Sequence, residues 1–272
     1  MKENKLKTKH SGRKALALAG SAAFLVLIGA VVFAYGRLRA LWVEQCVITD
    51  FASQVSITDG RMVRADVVAG QFGLKNGANL ALIDFDERRR ELLKKIPNIR
   101  NVTISRHLPN RISIEVEERV PVVRLGIKGK KEPTGRVADT DGVVFISSSG
   151  TQMLPTIREA AAPGTQKGQR LSGHALAALR LIETCREQFS EIAVIEADVS
   201  KADYITIVRD DYTRAKIAWD GMDEPSDAMM PSLKDRLTRL SKAISSNVDG
   251  GIREWDARKK GDVYGNTMRD IL

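Results

Sequence analysis

The sequence predicts an α+β protein: a single N-terminal transmembrane helix, a small β-α-α-β-β domain, and a second β-rich domain with two flanking helices. Three observations carry this. Ala15 to Tyr35 (ALALAGSAAFLVLIGAVVFAY) is a 21-residue run without a charge. Residues 98–122 (NIRNVTISRHLPNRISIEVEERVPV) alternate between apolar and polar. Beyond Ser172, strand-like runs of period two alternate with two stretches of helical period.

As a helix, the uncharged run spans about 32 Å, against a hydrocarbon core of roughly 30 Å. Lys2, Lys5, Lys7, Lys9, Arg13 and Lys14 precede it against Glu3 alone, and only Arg37 and Arg39 follow closely. That asymmetry puts the amino terminus in the cytoplasm and everything after the span on the exported side. A cleaved signal peptide is disfavoured, because its apolar region is typically about 7–15 residues. The net charge of +9 therefore has a local explanation, since most of the excess flanks the span. Orientation and anionic headgroups account for it, and a nucleic-acid partner is not expected.

The exported chain opens with LWVEQCVITDFASQVSITD, read as an extended lead-in with a first strand near Ala52 to Ile57. Arg61 to Phe72 carries Met62, Val63, Val67, Val68 and Phe72 on a helical stripe, broken by Gly73-Leu74-Lys75-Asn76-Gly77. Asn79 to Ile83 reads as an extended connector. Asp84 to Ile96 begins with Asp84 three residues before Glu87, an aspartate form of the capping box, and stops at Pro97. Val102 and Ile104, then Ile112, Ile114 and Val116, mark the buried face of a hairpin turned at Leu108-Pro109-Asn110. Two amphipathic helices supply the cover that this half-buried hairpin needs.

The order of these pieces resembles a polypeptide-transport-associated (POTRA) domain, and more closely that of bacterial cell-division proteins of the FtsQ/DivIB type. The pieces are Gly77-Ala78-Asn79-Leu80, Pro97-Asn98-Ile99, Arg106 to Pro109 and Glu118-Arg119-Val120-Pro121-Val122, behind a short basic tail and one span. The expected divisions are a cytoplasmic tail at 1–14, the span at 15–35, the POTRA domain at 45–120, a β domain at 121–265 and a tail at 266–272. Val137 to Phe145 (VADTDGVVF) with Leu154-Pro155-Thr156-Ile157 is similar to the start of the family's second domain. Two departures stand out: the glycine usual after Leu-Pro is replaced around Arg158-Glu159, and Ile127 to Arg136 is a polar, insertion-like loop.

In that second domain, Ser172 is the expected cap of a helix to Phe189. Strands follow at Ile192 to Val199, Tyr204 to Arg209 and Ala215 to Trp219. Leu233, Leu237, Leu240 and Ile244 define a second helix over Met230 to Ser245, with Pro231 in its first turn. Ile252 to Lys259 reads as a last strand opened by Gly250-Gly251. The resemblance implies that this strand and its continuation form a sheet edge that receives another division protein. The residues it points to are Trp255, Arg258, Lys259, Lys260, Val263 and Tyr264.

Chemistry-bearing constellations are sparse. His10, His107 and His174 share no metal-ligand spacing. Asp139-Thr140-Asp141-Gly142 lacks the bidentate glutamate of a calcium loop, which would fall at Gly150, and reads instead as a hairpin turn. Gly70 to Gly77 has no phosphate-loop order. Cys46 and Cys185 fall on the exported side, where a disulfide could persist, but nothing in the sequence brings them together. Lys128, Lys130 and Lys131 read as a solvated loop. No enzyme activity, metal, cofactor, catalytic residue or small-molecule substrate is expected.

The resemblance implies a non-catalytic divisome scaffold of the inner membrane, with its domains in the periplasm. Its implied partners are of the FtsB/FtsL type, joined by strand addition, together with the FtsW/FtsI synthase machinery. A POTRA-containing envelope assembly or translocation factor is the first alternative, disfavoured because no series of membrane strands is present. A membrane-tethered envelope hydrolase is the second, disfavoured by the missing constellation.

Overall fold

The computed structural model describes residues 7–58, 60–130, 135–147, 149–160, 164–247 and 251–267, with side chains described from Val26 onward. Residues 1–6 of the expected basic tail, Lys131 of the polar loop, Gly250 and the end of the C-terminal tail lie outside the described residues. The chain forms two compact units. The first comprises the residues up to Gly60 with 64–90 and 102–116; the second comprises 61–63, 91–101 and 117 onward.

Helix α1 runs unbroken from Lys7 to Gln45 and contains the whole uncharged run. Its Val26–Gln45 portion, 20 residues, is long and apolar enough to cross a membrane, and none of it is buried inside the protein. Its end is joined directly to the module that follows. The Asn79 side-chain amide donates to the Val43 carbonyl at 2.9 Å, and the backbone amides of Leu80, Ile48 and Gly77 donate to Cys46, Ala78 and Ile48 at 2.9, 2.8 and 2.8 Å. Residues 79–83 therefore form turns around a single bridge between Val47 and Asn79, and not the extended connector expected. Gly77 has φ of 84°, a conformation an L side chain rarely adopts.

The lead-in departs from expectation in a second place. Phe51–Gln54 is a short helix α2, and only Val55–Ile57 is the strand β1. Side-chain hydrogen bonds win over the local strand preference here: the Asp50 carboxylate accepts from Ala52 N, and the Gln54 amide oxygen accepts from the backbones of Thr49 and Asp50 at 2.7 and 2.9 Å. Helix α3 spans Ala65–Phe72 and ends on left-handed Gly73. It begins later than the apolar stripe suggests, because the amides of Arg61, Met62 and Val63 are taken by the Glu118 carboxylate at 3.1, 2.8 and 2.7 Å. Helix α4, Phe85–Lys95, is capped as expected by Asp84, which accepts from Asp86 N and Glu87 N.

Strands β2 (Ile99–His107) and β3 (Arg111–Glu118) are neighbours joined by three residues, so they form the hairpin read from the sequence. The sheet order is β1-β3-β2, with β1 parallel to β3 and Val55, Ser56 and Ile57 opposite Ile112, Ser113 and Ile114. Val102, Ile112 and Ile114 are buried, and the Phe72 and Phe85 rings stack at 6.0 Å. Burial of each such side chain contributes about 1.5–3 kcal/mol.

The second unit holds a nine-stranded sheet in the order β12-β11-β10-β9-β8-β7-β4-β5-β6. Its strands are β4 (Val123–Ile127), β5 (Arg136–Ala138), β6 (Val144–Ile146), β7 (Thr156–Glu159), β8 (Val194–Asp198), β9 (Ile205–Arg209), β10 (Arg214–Ile217), β11 (Ile252–Ala257) and β12 (Tyr264–Thr267). Helices α5 (Gly173–Gln188) and α6 (Met230–Ser246) pack Leu179, Leu181, Ile182, Leu233, Leu237 and Leu240 into one core with Leu125, Ile157, Ala197, Ile205, Ile207, Ala215 and Ile217. Charge pairs such as Arg158–Glu196 and Lys216–Glu254 bridge neighbouring strands. Ser172 occupies the N-cap of α5 but makes no side-chain capping bond. The Asp139 to Gly142 segment is the tight turn expected between β5 and β6: Gly142 N donates to Asp139 O, and Val143 N to the Asp139 carboxylate. That carboxylate also pairs with Arg119 at 2.5 Å, with little exposure on either side chain.

Candidate partner-binding edge

The sequence-predicted last strand is in fact two. β11 ends at Ala257, Arg258 to Val263 turn, and β12 returns antiparallel, with Trp255 opposite Gly265 and Asp256 opposite Tyr264. Residues 252–259 were read as one strand because alternation runs on past Ala257. The missed signal is Lys260-Gly261-Asp262, a turn tripeptide whose glycine has φ of 109°. β12 itself is too short, and too rich in small and polar residues, to announce itself.

The turn is pinned from α6. Arg236 donates to the Lys259 carbonyl, and Arg239 Nη1 donates to the Gly261 carbonyl at 2.8 Å. Arg236 is buried where it makes this bond. Gly265 is required by close approach, because a side chain there would collide with Ile252.

The six residues expected to bind do not form one patch. Trp255 is buried in the core, and Val263 is half-buried against it. Arg258 chelates the Asp256 carboxylate, at 2.6 Å from Nη2, and its guanidinium lies 5.1 Å over the Tyr204 ring. The hydrogen bonds from Arg258 hold the Asp256 carboxyl below its ordinary range, and the same bonds raise Arg258. Lys260 reaches Asp220 at 2.7 Å, and the Lys259 side chain is exposed. Tyr264 opens β12 and is 53% exposed.

The two ends of this sheet differ. At the far end the outer side of β6 is occupied: Val144 N donates to Gln169 O and Gly168 N to Val144 O, both at 2.8 Å, and the Asn98 side-chain amide donates to Ile146 O at 3.0 Å. At the near end β12 is last in the sheet order, and among the described residues no backbone bond outside the ladder reaches 264–266. A bare edge of this kind can accept another strand.

Elsewhere, among the described residues, no group of three or more His, Cys, Asp or Glu side chains could hold a metal. His107 is exposed, and His174 Nε2 lies 2.7 Å from Asp223. Cys46 and Cys185 are both free and buried, and burial pushes the Cys185 thiol up to about 12.

A β-α-α-β-β module directly behind one long apolar helix, followed by a β-rich domain, defines the class: a POTRA-domain protein on an N-terminal candidate membrane helix. Residues 52–119 match the family model of the POTRA domain, FtsQ-type. With the apolar helix ahead of it, that match supports an FtsQ/DivIB-type protein. Comparison with curated proteins returned no match.

Proposed function

We propose that this protein is a non-catalytic divisome scaffold, which recruits and couples septal cell-division proteins through its exported domains. The observation that carries the reading is the FtsQ-type POTRA domain at residues 52–119 behind an apolar helix. In this reading α1 spans the inner membrane with its amino terminus in the cytoplasm, and both folded units lie in the periplasm. The charge asymmetry around the span supports that orientation.

The place of β12 at the end of the sheet supports a capture mechanism at 264–266. A partner of the FtsB/FtsL type adds a strand beside Tyr264 to Asn266, main-chain bonds supply affinity, and the exposed Tyr264 ring supplies specificity. Of the residues read from the sequence, Tyr264 is the contact group in this scheme. Trp255, Val263 and Arg258 support the edge from behind, and Lys259 and Lys260 flank it. The complex in turn associates with the FtsW/FtsI synthase machinery. Depletion of the protein from growing cells is expected to block septation while elongation continues, read as filament length by microscopy. Normal division in depleted cells would remove the scaffold reading.

A further inference from the structure

The second unit carries a surface away from β12 that the scaffold reading does not use. Strands β7 and β8 are parallel, β9 runs antiparallel to β8, and β10 antiparallel to β9. The segments leading into β7 and β8 and the turn from β9 to β10 therefore meet at one end of the sheet. Met153, 95% exposed, leads into β7, and Tyr212, 80% exposed, sits in the β9–β10 turn. They are the two most exposed large apolar side chains described in this unit.

Both are held out by their surroundings. Tyr212 has φ of 62°, the one described non-glycine residue in the left-handed region, where glycine or asparagine is the ordinary choice. Its turn is fixed by Arg209 N to Thr213 O and Tyr212 N to Arg209 O, both at 2.9 Å. Asp211 adds to this by accepting from Thr213 N and Oγ1 and pairing with Arg209. A well-determined turn that spends its left-handed position on an exposed aromatic ring is a mark of function. Met153 lies within a turn closed by Leu154 N to Thr151 O, and Arg124 binds the carbonyls of Leu154 and Pro155 at 3.1 and 2.8 Å.

At the same sheet end is an apolar cleft of about 280 Å³, lined among others by Pro155, Ile182, Cys185, Ile192 and Val194. Asp210 N donates to Ala193 O, and Arg209 donates to Glu191 O, which ties the tyrosine turn to the cleft wall. At this end the carboxylates Glu187, Glu191, Asp210 and Asp211 outnumber the cations Arg186, Arg209 and Arg214 by one, with Arg209 paired to Asp211.

We propose that this sheet end is a second protein-docking surface, which takes a segment of an exported partner that places an apolar side chain in the cleft and a neighbouring Lys or Arg against Tyr212 and the carboxylates. The ring offers its face to a cation and the acids complete the charge match. The surface is separate from the β12 edge, so one molecule can hold two partners.

The test uses the full membrane-anchored chain with p-benzoylphenylalanine installed at Met153, at Tyr212 or, as a separate arm, at Tyr264. Crosslinked peptides are mapped by mass spectrometry. Crosslinks from 153 and 212 are expected on a segment of another exported protein in which an apolar residue lies beside Lys or Arg. Asp210→Lys and Glu187→Lys are each expected to cut that yield about tenfold and to leave the Tyr264 crosslink unchanged. Crosslinks only to a second copy of this chain, to lipid or to an acidic segment overturn the proposal, as do absent crosslinks or a yield indifferent to both charge reversals. The Tyr264 arm separates these outcomes from failure of the scaffold reading.

Discussion

The two ends of the nine-stranded sheet solve one problem in opposite ways. A terminal strand leaves a row of unpaired amides and carbonyls that invites any passing strand. At β6 the chain covers that row itself, with residues 168 and 169 and the Asn98 side chain. At β12 it leaves residues 264–266 without such cover among the described residues, and it protects them only by brevity and by the charged turn before them. Within this sheet, covering one edge and leaving the other makes β12 the end at which, among the described residues, a strand can be added. The difference teaches that the bare edge is a choice of the fold, because the means of covering an edge is present in the same domain.

The largest effect is expected from uncovering the closed end. Gly168 has φ of 85° and donates to Val144 O, so Gly168→Pro loses the bond and demands the opposite φ. The expected cost is about 3 kcal/mol or more. Thermal melting of the purified full chain in detergent should show a large drop together with aggregation through β6. A melt superimposable on wild type would mean that residues 168 and 169 do not guard that edge.

A smaller effect is expected at the open end. Tyr264→Ala should weaken partner capture about tenfold, or about 1.4 kcal/mol, with the melt unchanged because the ring is half in solvent. Full capture by this variant, measured by quantitative pull-down from membranes, would move the binding site away from β12.

The smallest effect is a pH dependence behind the open edge. The Asp256 carboxyl is held below its ordinary range by Arg258, so its contribution is fully present above the unfolded carboxylate pKa of about 4 and is lost as pH falls below that. Solvent screening keeps the contribution under about 1 kcal/mol. Melting curves from pH 6 down to 3 should converge for wild type and Asp256→Asn at the acid end. A constant gap across the range would show that the pair is not what separates them.

Much of this was legible in the sequence, for physical reasons that also explain the gaps. Period-two burial in β2 and β3, the Asp84 cap and the spacing of Leu233, Leu237 and Leu240 are local consequences of side-chain direction, and each appears where it was read. What escaped depends on partners distant in sequence. Phe51–Gln54 became helical because Asp50 and Gln54 captured nearby amides. Arg61 to Val63 were drawn out of a helix by Glu118, far along the chain. The last strand was read as 252–259, whereas Trp255 on β11 faces the core and the strand that ends the sheet begins at Tyr264.

The join between α1 and the module behind it has a further consequence. Hydrogen bonds run from Val43, Cys46 and Ile48 into residues 77–80, and Phe51 N adds one to Asn76. There is no leash in this stretch on which the module could swing. If α1 spans a bilayer, this first unit stands at a height above the lipid that the helix end itself sets.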